Sequence, residues 1–212
     1  MRDADEPVAP AAPGADADVP ERLLLSRLRH KDTAAFEQLV KTHQDRVYDF
    51  CVRMMSDREE AFDLTQEIFV SVHQHITEFR QDARLSTWIF RIARNHCLNR
   101  IKYLRRRGRG RSDEYGEVQE QAINDAAGAP QKPDDALEAS RLKALVRRAI
   151  DELDEDQRVL VVLRDIEGMS YEDIMEVTEL AEGTVKSRLH RAREKLAGIL
   201  ERLEAEAARR GK

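Results

Sequence analysis

The chain has 212 residues and a net charge of −5, with 36% of residues charged, 41% apolar and only 5% aromatic. That length fits one or two ordinary domains, and the few aromatic side chains exclude one large core in favour of small helical ones. Two cysteines without a CxxC spacing exclude a disulfide scaffold or a cysteine-ligated metal, no apolar run nears the ~20 residues of a membrane span, and no basic-then-apolar signal peptide opens the chain, so a cytoplasmic protein without membrane insertion is expected.

Residues 1–20 are Ala, Pro and Asp with little else. That composition buries too little surface to offset chain entropy and predicts a disordered tail. From Arg22 the pattern turns helical. Phe36, Leu39, Val40, His43, Val47, Phe50 and Met54 recur three and four apart, which predicts one long amphipathic helix. Leu64, Ile68, Val72 and Ile76 mark a second. A third is predicted from 86 to about 107, with Phe90, Ala93, Cys97, Ile101 and Leu104 on one stripe. Residues 108–135 break the periodicity with close glycines, Pro130, Pro133 and scattered acids, so they read as a flexible linker. Helices resume at Leu142, Leu145, Ala149, Ile150 and Leu153. Asp154 stands where it can cap the next, which carries Val159, Leu160, Leu163 and Ile166 and stops at Gly168. Ser170 opens a short helix with a capping-box-like pattern, and a last one begins near Gly183. No strand alternation appears. The expectation is an all-α chain of two small helical domains, 21–107 and 136–200, joined by the acidic linker and followed by a tail at 201–212.

Charge is sorted along this order. Residues 79–111 hold eleven Lys or Arg against Asp82 alone, a net of +10, and residues 112–140 hold eight acids against Lys132, a net of −7. The segment GTVKSRLHRAREKL, residues 183–196, adds five basic residues and one Glu. The overall charge therefore conceals two basic faces offset by acidic connectors. On a helix from 183, Val185, Leu189, Ala192, Leu196 and Ile199 form the packing face. Thr184, Ser187, Arg188, Arg191 and Lys195 form the opposite one, flanked by Lys186 and His190. A capped helix, a turn and then a basic helix is helix-turn-helix order, in which the second helix enters the major groove. Lys, Arg and Ser near its start suit base edges, and later Arg residues suit phosphates.

SYEDIMEVTELAEGTVKSRLHRAREKL, residues 170–196, resembles the −35-binding helix-turn-helix of bacterial sigma factors of the extracytoplasmic function (ECF) group, in the sigma-70 family. FDLTQEIFVSVHQHI, residues 62–76, resembles the helix with which these factors grip the β′ clamp helices of RNA polymerase. FRQDARLSTWIFRIARNHCLNRIKYLRRR, residues 79–107, resembles their −10 recognition and strand-opening segment. Two matches in the family's order are more specific than either alone. The resemblance covers roughly residues 22–200. It implies polymerase-binding residues Asp63, Gln66, Glu67 and Gln74. It implies −10 DNA contacts from Arg80, Gln81, Asp82, Arg84, Ser86, Thr87, Trp88, Arg91, Arg94, Asn95, Asn99 and Lys102, with Trp88 weighed as packing first. It implies −35 contacts from Thr184, Lys186, Ser187, Arg188, His190, Arg191 and Lys195. Its partners are core polymerase, through the β′ clamp helices and the β flap, promoter DNA, and an anti-sigma factor that is membrane-bound in many members. It carries no cofactor, metal or catalytic residue, and it would associate with the nucleoid within holoenzyme.

The helix-turn-helix departs from the family's pattern at three positions. Glu179 stands where Gly is usual, Ala181 where Pro is frequent, and Met175 where a small residue faces the recognition helix. A rebuilt turn and a spread helix pair are the expectation. Two rival readings remain: a stand-alone helix-turn-helix regulator, which needs a dimer face or ligand pocket, and a helical DNA-processing enzyme, which needs a convergent acid cluster. The sequence displays neither feature.

Overall fold

The computed structural model describes residues 18–80, 83–108 and 133–210, and every regular element in them is helical. In chain order these are α1 (Asp18–Arg29), α2 (Thr33–Met55), α3 (Arg58–His75), a 3₁₀ turn (Ile76–Glu78), α4 (Leu85–Gly108), α5 (Pro133–Asp151), α6 (Glu155–Val161) continued by a π turn (Val162–Ile166), α7 (Tyr171–Thr178) and α8 (Glu182–Arg210). Of the tail expected at 1–20, residues 1–17 lie outside the described residues and 18–20 already belong to α1; linker residues 109–132 also lie outside the described residues. The linker expected to reach 135 ends sooner, because Pro133 starts α5, where a proline's missing N–H costs a helix nothing.

Local chemistry fixes the helix starts. Asp32 accepts from the Ala34 and Ala35 amides at 2.9 and 3.2 Å, and Asp57 caps α3 through the amides of Glu59 and Glu60. Ser170 caps α7 by accepting from the Asp173 amide at 3.0 Å. Asp154 occupies the cap position of α6, yet its carboxylate makes no capping bond and instead pairs with Lys195 at 2.8 Å. A lysine brought in from α8 competes for the oxygen that a nearby amide would otherwise hold.

In the first half, α2 is the central element. It packs on α3 and α4. Phe50 meets Phe90 edge-on at 5.5 Å between centroids, and the wholly buried Cys51 and Cys97 bring their sulfurs to 3.9 Å. In the second half α8 is the shared element: α5, α6 and α7 all pack on it. Val159 to Leu163 are all buried, so the chain is enclosed on every side where α6 passes into the π turn, whereas the start of α6, Glu155 to Arg158, is polar.

The halves meet along one seam. α4 packs against α7, and α2 against α5 and α6. Thr87 donates to Asp173 at 2.7 Å and Ser56 donates to Asp151 at 2.7 Å. Arg158 donates to the Met54 carbonyl at 3.0 Å, and Arg46 pairs with Glu167 at 3.0 Å.

Residues 201–212, expected as a tail, continue α8 as far as Arg210. α8 packs along α5, Leu203 is buried, and Arg202 pairs with Glu152 and Glu206. The helix-turn-helix keeps its turn despite the unusual residues. Glu179 takes the left-handed conformation at φ 58°, its amide donating to the Met175 carbonyl at 2.7 Å. Met175 turns toward the seam, where it lines a cavity with Arg84, and Ile174, Val177, Val185 and Leu189 remain buried between α7 and α8. The expected spreading of the pair does not occur.

A left-handed residue with a Cβ costs about 1 kcal/mol, so Glu179→Gly should stabilise the fold by up to that amount, raising Tm by about 2–4 °C for a chain of this size. Calorimetry of both proteins checks it. At Asp151 burial raises the carboxyl pKa, against the bonds from Ser56 and the nearby Arg158. A raised folded pKa means the buried charge destabilises at neutral pH. That penalty fades as pH falls through the folded value and is gone below the unfolded one, near 3.8. Asp151→Asn should therefore be more stable than the parent at pH 7, and its advantage should vanish in acid. Urea melts across pH read this out.

Candidate docking and nucleic-acid interfaces

α3 buries Ala61, Leu64, Thr65, Ile68, Phe69 and Val72. That rotation leaves Asp63, Gln66, Glu67 and Gln74 exposed on the other side. The four line one open groove of about 570 Å³ together with Val70, Ser71 and His96. Phe62 and Val70, 57% and 56% exposed, add apolar area that the core does not use. Arg100, read in the sequence only as part of the basic run, donates to Glu60 at 2.7 Å and to Glu67 at 2.6 Å. Partial burial draws its pKa down, but the two carboxylates outweigh that and hold it above its ordinary value. No local signal pairs it with Glu67, because the partners lie 33 positions apart.

α4 has two faces. Leu85, Ile89, Phe90, Ala93 and Cys97 point inward. Asn95, Asn99 and Lys102 are exposed, and Arg91 and Arg94 are half-buried. Arg94 donates to the Asn95 side chain at 3.1 Å while its Nε, although buried, has no hydrogen-bond partner. Tyr103, 54% exposed, stands next to Lys102 and was not singled out from sequence. An aromatic among arginines was the available signal, since bases stack on such rings. At the start of the helix Thr87, expected at the DNA, is turned inward, and Trp88 packs as it was weighed to do first. Thr87 and Trp88 are 2% and 8% exposed. Thr87 is bonded to Asp173 on α7, and Trp88 packs on Phe79 at 5.4 Å. Arg80 and Arg84 are exposed and Ser86 half-buried, while Gln81 and Asp82 lie outside the described residues.

α8 buries Val185, Leu189 and Ala192. Lys186, Ser187, His190, Arg191 and Lys195 are exposed, and Thr184 and Arg188 are half-buried on the same outward side. Three of their charges are paired within the chain, Lys186 with Glu182 at 2.6 Å, Arg188 with Asp156 at 4.0 Å and Lys195 with Asp154, and Arg191 donates to the Ser187 carbonyl at 3.2 Å. His190 reaches Glu194 at 3.5 Å. Lys186 also lies 5.4 Å from the centre of the Tyr171 ring. Glu182 holds Lys186 above its ordinary pKa, so the ammonium stays charged. Arg193 chelates Asp165 at 2.5 and 3.2 Å and ties α8 to the π turn. Among the described residues no cluster of His, Cys, Asp or Glu could hold a metal ion, and no helix is long and apolar enough to cross a membrane.

Two family descriptions match the chain in order: Sigma-70 region 2 over residues 39–109 and Sigma-70, region 4 over residues 143–196. The chain belongs to the ECF RNA polymerase sigma factors. It is 36% identical to the RNA polymerase sigma-H factor of Pseudomonas aeruginosa over 188 residues, 88% of this chain and 97% of that protein. It is 34% identical to the ECF RNA polymerase sigma-E factor of Haemophilus influenzae, with 86% and 96% coverage. Among solved structures it is similar to the sigma factor RpoE in complex with the anti-sigma factor NepR from Bartonella quintana, at 27% identity, TM-score 0.58 and coverage of 78% and 96%. The fold also matches CnrH in complex with the cytosolic domain of CnrY, at 23% identity, TM-score 0.61 and coverage of 85% and 97%.

Proposed function

We propose that this ECF sigma factor binds core RNA polymerase through the α3 groove and places it on promoters through α4 at the −10 element and α8 at the −35 element. The observation that carries the reading is that one chain holds both sigma regions in order, each presenting a solvent-facing polar surface on a helix whose other face is buried. The groove of Asp63, Gln66, Glu67 and Gln74, rimmed by Phe62 and Val70, offers acidic, amide and apolar contacts to the β′ clamp helices; the β flap is assigned to the second half. Basic α4, with Asn95, Asn99 and Lys102 outward, captures the non-template strand as it separates. Capture of unstacked bases opens a duplex without nucleotide hydrolysis. Lys186 and Ser187 reach base edges in the −35 major groove, and Arg188, Arg191 and Lys195 hold phosphates. The protein performs no chemistry of its own, acts in the cytoplasm and joins the nucleoid within holoenzyme. Solved relatives bound to an anti-sigma factor, as RpoE is to NepR, support an inhibitor of that kind for this chain.

Run-off transcription from the chain's own upstream region tests the reading. A discrete transcript should require both core polymerase and this protein, and the double variant Asp63→Ala/Glu67→Ala should lose most of it. No transcript, with footprinting by the free protein on the same DNA, would replace this reading with a stand-alone regulator. Within the −35 site the two residue classes should separate. Arg191→Ala should weaken binding on all sequences and reduce the salt slope by about 1, whereas Lys186→Ala should cost about 1–3 kcal/mol at one base pair and relax discrimination there. Holoenzyme affinities on a set of −35 variants at several salt concentrations distinguish them.

A further inference from the structure

α4 contributes to the α3 groove as well as to the surface proposed for the −10 element. His96 lines the groove with Asp63, Gln66, Glu67 and Gln74. One turn on, Arg100 reaches across to α3 with both ends of its guanidinium fork. Its Nη1 donates to Glu60 at 2.7 Å and its Nη2 to Glu67 at 2.6 Å. The arginine side chain is 22% exposed, and those of Glu60 and Glu67 are 32% and 50% exposed. Ion pairs at that depth are screened by salt less than the exposed pairs of α8.

The spacing on α3 gives the fork its effect. Glu60, Asp63 and Glu67 stand three and four apart, so they share one stripe of the helix, where like charges repel. Asp63, in the middle, enters no ion pair among the described residues. Arg100 bridges the outer two acids, two helical turns apart, and offsets that repulsion. It engages Oε1 of Glu67, and a carboxylate has a second oxygen to offer an incoming donor. A glutamate left free in solvent has to be ordered when a partner docks on it, and that ordering lowers affinity. Here the ordering is done in advance by a residue of α4. A planar fork suits the task, because its two ends hold two carboxylates in a fixed geometry.

We propose that Arg100 is a positioning residue for polymerase docking, which presets Glu67 on the α3 surface and makes the docking site a product of two helices. This rests on the docking reading above. It adds that α4, proposed to read the −10 element, also shapes the surface that meets polymerase.

The test is fluorescence anisotropy of the full chain, labelled with fluorescein at its N-terminus and titrated with core RNA polymerase. Arg100→Ala should weaken core binding about three- to ten-fold, the range for ordering one long side chain. Arg100→Lys keeps the charge and the stem but replaces the fork by a single ammonium, and should lose an intermediate amount. Glu67→Ala removes the group being positioned, so adding Arg100→Ala to it should weaken binding by less than about two-fold more. A merely structural effect of Arg100 would persist in full in that double variant, and such a result would overturn the positioning role. Equal or tighter core binding by Arg100→Ala would also overturn it, since the arginine would then mask Glu67 instead of presenting it, and the docking reading would stand. Absence of core binding by the parent would overturn the docking reading and this proposal with it.

Discussion

The division of α4 into two faces is the constraint on which the rest of the structure depends. Phe90, Ala93 and Cys97 must point at α2 for the first half to have a core, and Phe50 and Cys51 wait there for them. With only six phenylalanines and one tryptophan in the chain, few other side chains could fill that space. Once those positions are fixed, 3.6 residues per turn leave Arg91, Arg94, Asn95, Asn99 and Lys102 on the remaining side. The side of α4 proposed to face DNA is therefore what the core leaves over, and a polar substitution at Phe90 would disturb both together.

The basic residues of α8 follow a different logic. In the free chain Lys186, Arg188, His190 and Lys195 each find an acid, Glu182, Asp156, Glu194 and Asp154 in turn, while Arg191 donates to the Ser187 carbonyl. These pairs are exposed, so each contributes little to stability and salt screens it. Such pairs are easily exchanged for phosphates, and the overall charge of −5 does not impede DNA binding. The Thr87–Asp173 bond lies in partly buried surroundings. Breaking it leaves groups to be rehydrated, which makes it better suited to hold a conformation than any pair on α8.

Much of this was legible in the sequence because it is local. Spacings of three and four placed α2, α3 and α4. The polar face of α3 followed from its apolar stripe, and the helix-turn-helix followed from Ser170 and the basic run after Gly183. Contacts between distant residues were not legible. Nothing near Thr87 announces an acceptor 86 positions away, and nothing near Arg100 announces Glu67. The π turn after α6 accommodates the packing of five consecutive apolar residues, a tertiary matter. The extension of α8 to Arg210 hangs on Leu203 and on Arg202 pairing with Glu152, which a run of Glu, Ala and Arg does not reveal. Glu179 was legible as a residue forced to positive φ. That Met175 turns to the seam and leaves the helix pair undisturbed was not, because its neighbours there come from the first half.

Strand opening at the promoter is the most direct measure of the central claim, that one chain both docks on polymerase and captures the −10 strand. Permanganate reactivity of thymines across the −10 region reports it. The account predicts reactive thymines only when core polymerase and this protein are both present, and their loss with Asp63→Ala/Glu67→Ala. Reactivity that does not depend on this protein, or a −10 region that stays duplex while holoenzyme occupies the promoter, would contradict it.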